Sequence, residues 1–438
     1  MNSIAHPRRI DLDRIAAAFP ARRVATIITT ILLMVIMVSF RPFQPESLAV
    51  DGGGGDIVNQ LGFGSLGAIS LVSLLTLADR RISRVLISPW WLLIAGFVVI
   101  AVLIALDPNS AMRAAIFTLI GIITIGTVLV LPRDADSLAS ALFVSGLTVV
   151  LISYAGVLLY PSVAIHSGDS LEFQHAGLWR GAFSHKNVAG PVMACLSFAG
   201  LYIFRRGQRV QGAILFGLAM VFMLNTGSKT TAGLVPVSII LVALPGIIGL
   251  RGLTPVVFLA TMIGATIGTL GIVFIEPVKE LAQHLAPDLT YTGRTALWSA
   301  SGEVIARHPW IGYGFESFWG SPYVDAVDKA FDQDWDIRGA VHAHNGYLDI
   351  AITMGLPGLA AFIVVFWIVP VIDYVRTPRL KENVYLSDLF MMMLMFTSLN
   401  ALLESFFLRR ADPVWLFFAM GALGLRVFSR IPMRSSTA

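Results

Sequence analysis

The sequence predicts an all-α polytopic membrane protein, and three observations carry that prediction. Of its 438 residues 56% are hydrophobic and only 13% are charged, against about 25% charged in a soluble domain. The apolar residues come in continuous blocks of about 20, the length of a helix across a hydrocarbon core, and not in the alternating ten-residue pattern of barrel strands. The basic residues sort to one side once the blocks are numbered.

Twelve spans follow, near 24–40, 61–78, 86–106, 112–131, 138–159, 188–204, 211–225, 231–249, 255–275, 346–372, 387–407 and 413–428. They divide the chain into a tail (1–23), helices 1–9 (24–275), a large external loop (276–345), helices 10–12 (346–428) and a second tail (429–438). With both tails inside, 19 of the 31 Lys and Arg fall in inner segments, from Arg8, Arg9, Arg22 and Arg23 to Arg426, Arg430 and Arg434. That is the positive-inside bias. The first apolar run leads into "MVSFRPF" with no small-residue cleavage site, so it reads as a retained helix. The net charge of +4 reflects these anchoring arginines and points to no nucleic acid. One cysteine, Cys195, allows no intrachain disulfide. The run "DGGGGD" at 51–56 reads as an outer loop.

Two external segments are long. Residues 160–187 include "HAGLWRGAFSHKN", and 276–345 hold four of the nine tryptophans, Trp298, Trp310, Trp319 and Trp335. A loop of that second length is functional or folds by itself. Within it, "GRTALWSASGEVIARHPW" places Leu297, Ser301 and Ile305 on one helical face, flanked by Trp298 and Val304. The expectation is an amphipathic helix on the outer leaflet, stopped at Pro309. Its tryptophans suit either an interfacial belt or stacking on sugar rings.

Candidate chemistry gathers outside. In "VHAHNGYLDI" His344 and Asn345 stand where helix 10 begins. Asn345 is a suitable N-cap, and a helix N-terminus favours an anion. A neutral histidine is suited to accept a hydroxyl proton. His342 and His344 would diverge by about 200° on one helix, so no metal pair is expected. Arg180, Lys186, Lys229, Arg409 and Arg410 lie on the side the basic residues otherwise avoid. Cations converging there suit a phosphate or diphosphate. Glu404 follows Asn400 by four residues, which on a helix gives them one face, and an intramembrane carboxylate usually looks inward.

Two motifs fail on inspection. "NTGSKTT" at 225–231 lacks the upstream glycine and the Gly-Lys pair of a phosphate-binding loop. In "DQDWDIRGAVHA" Asp332, Asp334 and Asp336 alternate, but Ile337 and Ala343 occupy the glycine and glutamate positions an EF-hand requires. No cofactor is expected, and only a weaker cation site at the three aspartates stays open.

"GRTALWSASGEVIARHPWIGYGF" followed by "HAHNGYLDIAITMGLPG" resembles the shared region of the O-antigen ligase and Wzy-type polysaccharide polymerase superfamily. His344, Asn345, Gly355 and Gly358 fit its pattern of His-Asn, nine residues, Gly, two residues, Gly. "WRGAFSHKNVAGP" resembles the family's earlier external segment, in particular its exopolysaccharide-polymerase branch, and "LNTGSKTTAGL" a third motif in which Ser-Arg is common and Ser228-Lys229 stands here. The resemblance covers roughly residues 175 to 410.

It implies a GT-C-type membrane glycosyltransferase of the bacterial inner membrane. Its donor would be an undecaprenyl-diphosphate-linked glycan at the periplasmic face, and membrane lipids, a chain-length regulator and export proteins would be its partners. By the same resemblance His344 is the general base and Arg294 stabilises the leaving group, with Arg180, Lys186 and Lys229 beside it. Transfer would invert the anomeric centre without a metal. Two alternatives remain: an O-antigen ligase acting on lipid A core, and a secondary transporter, for which the "GLP" and "VALPG" interruptions speak.

Overall fold

The computed structural model describes residues 12–44, 57–167, 173–285, 294–325 and 337–434, and these residues are helical with no strand beyond an isolated bridge between Ile165 and Trp179. The helices are α1 Leu12–Val38, α2 Ile57–Thr76, α3 Arg80–Leu86, α4 Pro89–Leu103, α5 Pro108–Val130 and α6 Ala135–Leu159. They continue as α7 Lys186–Arg205, α8 Arg209–Asn225, α9 Lys229–Ile247, α10 Arg251–Phe274, α11 Glu276–Leu285, α12 Arg294–Arg307, α13 Gly346–Arg376, α14 Lys381–Asn400 and α15 Pro413–Phe428. Eight of them are long and apolar enough to cross a membrane, and α3 with α4 makes a ninth span bent by 51°. The other three expected spans are α8, α14 and α15. The sequence "DGGGGD", Trp335 and the three alternating aspartates lie outside the described residues.

Local chemistry sets the helix starts. Asp79, Asp107, Asp134 and Asp412 each accept backbone N–H groups of the helix they precede, and Pro89, Pro108 and Pro413 occupy first-turn positions where no N–H is needed. The helices α14 and α15 are buried along nearly their whole length and form the axis of the bundle. Outer helices turn apolar side chains outward: Leu61, Leu92 and Val256 are 67%, 69% and 61% exposed, as surfaces facing lipid must be. Between α7 and α8 the backbones touch, because a Cβ on Gly200 would stand 2.6 Å from Phe216 N. Small residues permit such approach between membrane helices.

The two ends of the bundle differ. At one end arginines meet acids: Arg22 and Asp134 at 2.8 Å, Arg205 and Asp388 at 2.9 Å, Arg206 and Asp136 at 2.7 Å, Arg430 and Asp373 at 2.8 Å. These residues, read from the sequence as lipid anchors, therefore also tie helix to helix. The other end carries the long loops, and backbone bonds fasten them. Phe43 N–H reaches Ala182 O at 3.0 Å, Phe315 N–H reaches Ala101 O at 2.8 Å, and Leu106 N–H reaches Ser317 Oγ at 3.1 Å.

Three expectations are corrected here. The tenth span is not continuous: α13 breaks at Gly355, with φ 71° and ψ 178°. The segment 309–315 threads into that break. Leu356 N–H donates to Pro309 O at 2.8 Å, and Tyr313 N–H to Ile352 O at 2.8 Å. The helix expected on the outer leaflet, α12, instead buries Leu297, Trp298, Ser301, Val304 and Ile305 in a second core with Leu348, Ala351 and Ile352 of α13. The eleventh span stops at Asn400, and residues 401–412 form a non-helical turn, so Glu404 shares no helix face with Asn400.

A Cβ at Gly355 would lie 2.5 Å from the Trp310 carbonyl carbon and 2.8 Å from Ile311 N, in a backbone region that L-residues avoid. Gly355→Ala is expected to destabilise the protein by about 1–3 kcal/mol, seen as a lowered thermal midpoint in detergent. An unchanged midpoint would mean that the docked loop does not depend on this break.

Candidate active site

Five segments meet at the loop end: the turn 341–345 before α13, the turn 401–412 after α14, the first turns of α7 and α12, and the segment 309–321. Their convergence is set by the backbone of the first turn. The Asn345 side chain caps α13, accepting from Tyr347 N–H at 3.0 Å and Leu348 N–H at 3.1 Å. Its amide donates to Leu402 O at 2.9 Å, and its backbone N–H to Ser405 Oγ at 3.0 Å. Gly346 N–H then reaches Ala401 O at 2.8 Å. Asn345, expected to bind substrate, is fully buried, with both ends of its amide engaged inside the protein. It holds the register between His344 and Glu404.

His344 itself takes φ +48°, a left-handed conformation that a histidine adopts only where its surroundings impose it. Its neighbours do so. Its N–H donates to His342 Nδ1 at 3.2 Å, and the residue before it is held on both faces: Ala343 C=O accepts from the Trp298 indole at 3.1 Å, and Ala343 N–H donates to Asp349 Oδ1 at 3.1 Å. Because 342–345 is a turn and not a helix, the rings of His342 and His344 meet edge to face at 4.1 Å rather than diverging.

Glu404 is the hub. Its Oε1 accepts from Arg294 at 2.9 Å and from the Asn187 amide at 3.2 Å, and its Oε2 lies 3.4 Å from His344 Nδ1. Burial works to raise the Glu404 carboxyl, but the His344 ring, Arg294 and His185 outweigh it and hold the group below its ordinary value. Glu404 is therefore a carboxylate at neutral pH. An anion at Nδ1 favours the tautomer with its proton there, which leaves the Nε2 lone pair of His344 available. The His344 side chain is 37% exposed, so that lone pair is within reach of a ligand.

His342 is the opposite case. Burial, then Arg409, His344, Arg294 and His185, all push its imidazole well below the ordinary histidine value. It stays neutral and accepts the His344 N–H. Arg409 is half-exposed beside this pair, and its neighbour Arg410 forms a two-pronged pair with Glu316, the shorter contact 2.8 Å, clasping the turn 401–412 to the segment 309–321.

The remaining predicted residues are placed as follows. Arg180 is buried and donates to the carbonyls of Phe183 and Ser184 at 3.3 Å and of Phe43 at 3.5 Å, and burial lowers its basicity. It braces the loop 165–185. Lys186 opens α7, one residue before Asn187. Lys229 opens α9 with an exposed side chain, and its turn packs on Gly190 of α7, where a Cβ would meet Thr226 Oγ1 at 3.2 Å. Arg294, His344 and Glu404 thus form one contact group, with Arg409 near. Sequence reasoning missed Asn187, overshadowed by the charge of Lys186, and Asp349, whose partner lies thirty residues away.

Among the described residues one group has the makeup of a metal site: His166, His175 and His185, with ligand atoms within 4.8 Å of one another. Two of the rings already accept backbone N–H groups, His166 Nε2 from Lys186 at 3.2 Å and His185 Nδ1 from Asn187 at 3.1 Å. In this arrangement the trio anchors the start of α7.

Residues 188–363 match the family model described as O-antigen ligase (Wzy_C). Over that segment the chain is similar to the O-antigen ligase family. That match takes in Arg294, His344 and Lys229, and ends before Glu404. The chain is 24% identical over 191 residues to the exopolysaccharide production protein ExoQ of Rhizobium meliloti (strain 1021), covering 41% of this chain and 43% of that one. It is 29% identical over 118 residues to the putative polysaccharide ligase RP358 of Rickettsia prowazekii (strain Madrid E), covering 25% and 28%. The chain thus spans less than half the length of either relative.

Stability is expected to fall with pH below about 6.5, the ordinary histidine value. The unfolded chain takes up a proton there that native His342 refuses, so stability rises with pH across that window. The Glu404 contribution has the same sign but is lost only further down, as pH falls through its lowered value. Thermal midpoints from pH 7.5 to 5.5 should drop for the parent and flatten in His342→Gln. Parallel profiles would clear His342 of the effect.

Proposed function

We propose that the protein is a membrane glycosyltransferase that joins lipid-diphosphate-linked oligosaccharide repeat units into exopolysaccharide, with undecaprenyl diphosphate as the carrier, at the periplasmic face of the bacterial inner membrane. The observation that carries this reading is the contact group itself. A half-exposed imidazole is backed by a carboxylate, and that carboxylate is shared with an arginine.

The chemistry follows from the placement. His344 Nε2 takes the proton of the acceptor hydroxyl as its oxygen attacks the anomeric carbon. Glu404 stabilises the imidazolium that forms, as the aspartate of a hydrolase triad does. The bond from the anomeric carbon to the diphosphate oxygen breaks, and attack from the opposite face inverts the sugar. Negative charge grows on the departing diphosphate, where Arg294 and Arg409 stand ready and Lys186 and Lys229 approach from the starts of α7 and α9. A diphosphate whose charge is met by such cations leaves without a metal ion.

The name of the Rhizobium meliloti relative and the "RGAFSHKN" segment favour polymerisation over transfer to lipid A core. Transport is the weaker reading, because the break at Gly355 is filled by the backbone of 309–315 and is not lined up as a half-helix ion site. The deciding experiment is reconstitution in vesicles with lipid-linked repeat units, with and without lipid A core, followed by product length. Long product without core supports a polymerase, and product only with core makes the protein a ligase.

His344→Ala is expected to abolish product while the protein stays folded in the membrane, and Glu404→Gln to lower turnover by a smaller factor. Full-length polysaccharide from His344→Ala would falsify the base assignment. Arg294→Lys keeps the charge but loses the planar fork, and should slow turnover on the order of 100-fold, as loss of one charge-stabilising donor does. Thr295→Ser is its neighbouring control, and equal rates in the two variants would take Arg294 out of the site.

A further inference from the structure

Two tryptophans bracket the peptide that precedes His344. The Trp298 indole donates to Ala343 O at 3.1 Å and is wholly buried in the second core. The Trp319 indole donates to Asp349 Oδ1 at 2.8 Å, the same oxygen that accepts Ala343 N–H at 3.1 Å. Trp319 is only half-buried, and Phe318 packs edge-on against it at 5.0 Å between ring centres. One indole is core, then, and the other keeps surface open beside the catalytic turn.

Packing alone does not call for the second arrangement. A phenylalanine would cover the same core without a partner, whereas here a half-buried carboxylate accepts from the indole N–H, and drawing a carboxylate even partly out of water is costly unless its bonds serve a purpose. What the bond to Asp349 achieves is a fixed ring plane, and it ties that plane to the peptide holding His344. A rigid, flat, electron-rich face that loses little freedom on binding is a good surface for the C–H face of a pyranose ring. Arg294 and Asn187 reach Glu404 from α12 and α7, while Trp319 arrives from the segment 309–321 and meets Asp349, which also holds the Ala343–His344 peptide.

We infer that Trp319 is the stacking platform for the sugar ring that presents the attacking hydroxyl to His344. This rests on the transferase reading and adds to it where the acceptor lies and what recognises it: a pyranose face and not a charge. It also accounts for the Arg410–Glu316 clasp, which fixes the segment carrying Trp319 to the turn carrying Glu404.

The test uses the full-length protein in vesicles with lipid-linked oligosaccharide extracted from cells that make it, measuring initial rates against substrate concentration. Trp319→Ala should raise KM on the order of tenfold with kcat within about threefold, a change worth about 1.4 kcal/mol of binding. Trp319→Phe, which keeps a flat ring and drops the hydrogen bond, should stay within about threefold of the parent KM. Thermal midpoints close to the parent confirm that both variants are folded. The inference is overturned if Trp319→Ala keeps the parent KM, if Trp319→Phe is as impaired as Trp319→Ala, or if kcat falls in place of KM. A parent protein that elongates nothing overturns the transferase reading and this one together, whereas an active parent with an unaltered Trp319→Ala removes the platform alone.

Discussion

A carboxylate held as an anion in a largely buried setting is the constraint on which the loop end of this molecule depends. An isolated buried carboxylate would take up a proton or pull in water. Glu404 keeps its charge because Arg294, Asn187 and the His344 ring surround it, each delivered by a different part of the chain. Removing Arg294 leaves the carboxylate without its cation, and removing Asn187 or the ring leaves it short of a polar neighbour. The positions of α7, α12 and the turn before α13 are therefore coupled through one side chain, which belongs to a turn rather than a helix. That turn is itself held by backbone groups: the Asn345 amide takes Leu402 O, Gly346 N–H takes Ala401 O, and Thr118 Oγ1 donates to Leu408 O at 3.0 Å.

The contrast between the two ends of the bundle gives this arrangement its meaning. At the far end Arg205 and Arg251 both reach Asp388, and Arg206 bridges Asp136 and Glu382, so acids answer arginines and the outcome is rigidity. At the loop end one glutamate serves both an arginine and a histidine, and further cations stand around it. A stable framework needs matched charge. A site for a diphosphate needs cations whose counter-charge arrives with the ligand. The same residue types thus do structural work at one end and, in the proposed transfer, binding work at the other, and the neighbours decide which.

Much of this was legible in the chain. Apolar block length is set by bilayer thickness, so every expected span has a helical counterpart, and the grouping of "HAHN" with the long loop pointed to the site. What was not legible depended on long-range backbone pairing. The break in α13 shows in sequence only as Gly-Leu-Pro, which fits a kink, a turn or a transporter-like interruption equally well. Only the docking of residues 309–315 into it decides among them. Glu404 was read onto a helix because the apolar pattern runs on past Asn400, although Ala401 O and Leu402 O are claimed by the turn before α13 instead. The helix α12 was given to the membrane surface because an apolar face does not say whether lipid or protein covers it.

The left-handed backbone of His344 joins these strands of the argument. A residue at φ +48° is strained by a small amount. The strain persists because five hydrogen bonds from its neighbours leave the turn no alternative: two from Asn345, two at Ala343, and the one from its own N–H to a histidine kept neutral by burial and by the cations around it. In a relaxed helical continuation His344 would move along the α13 axis, away from Glu404, and its ring would part from that of His342. The turn instead holds the imidazole where one nitrogen faces the carboxylate and the other faces outward. An enzyme that must deprotonate a weakly acidic hydroxyl gains most from a base that does not have to search for its position. Distortion at this one residue, over-determined by the packing beneath it, fixes the imidazole that the proposed transfer would use as its base.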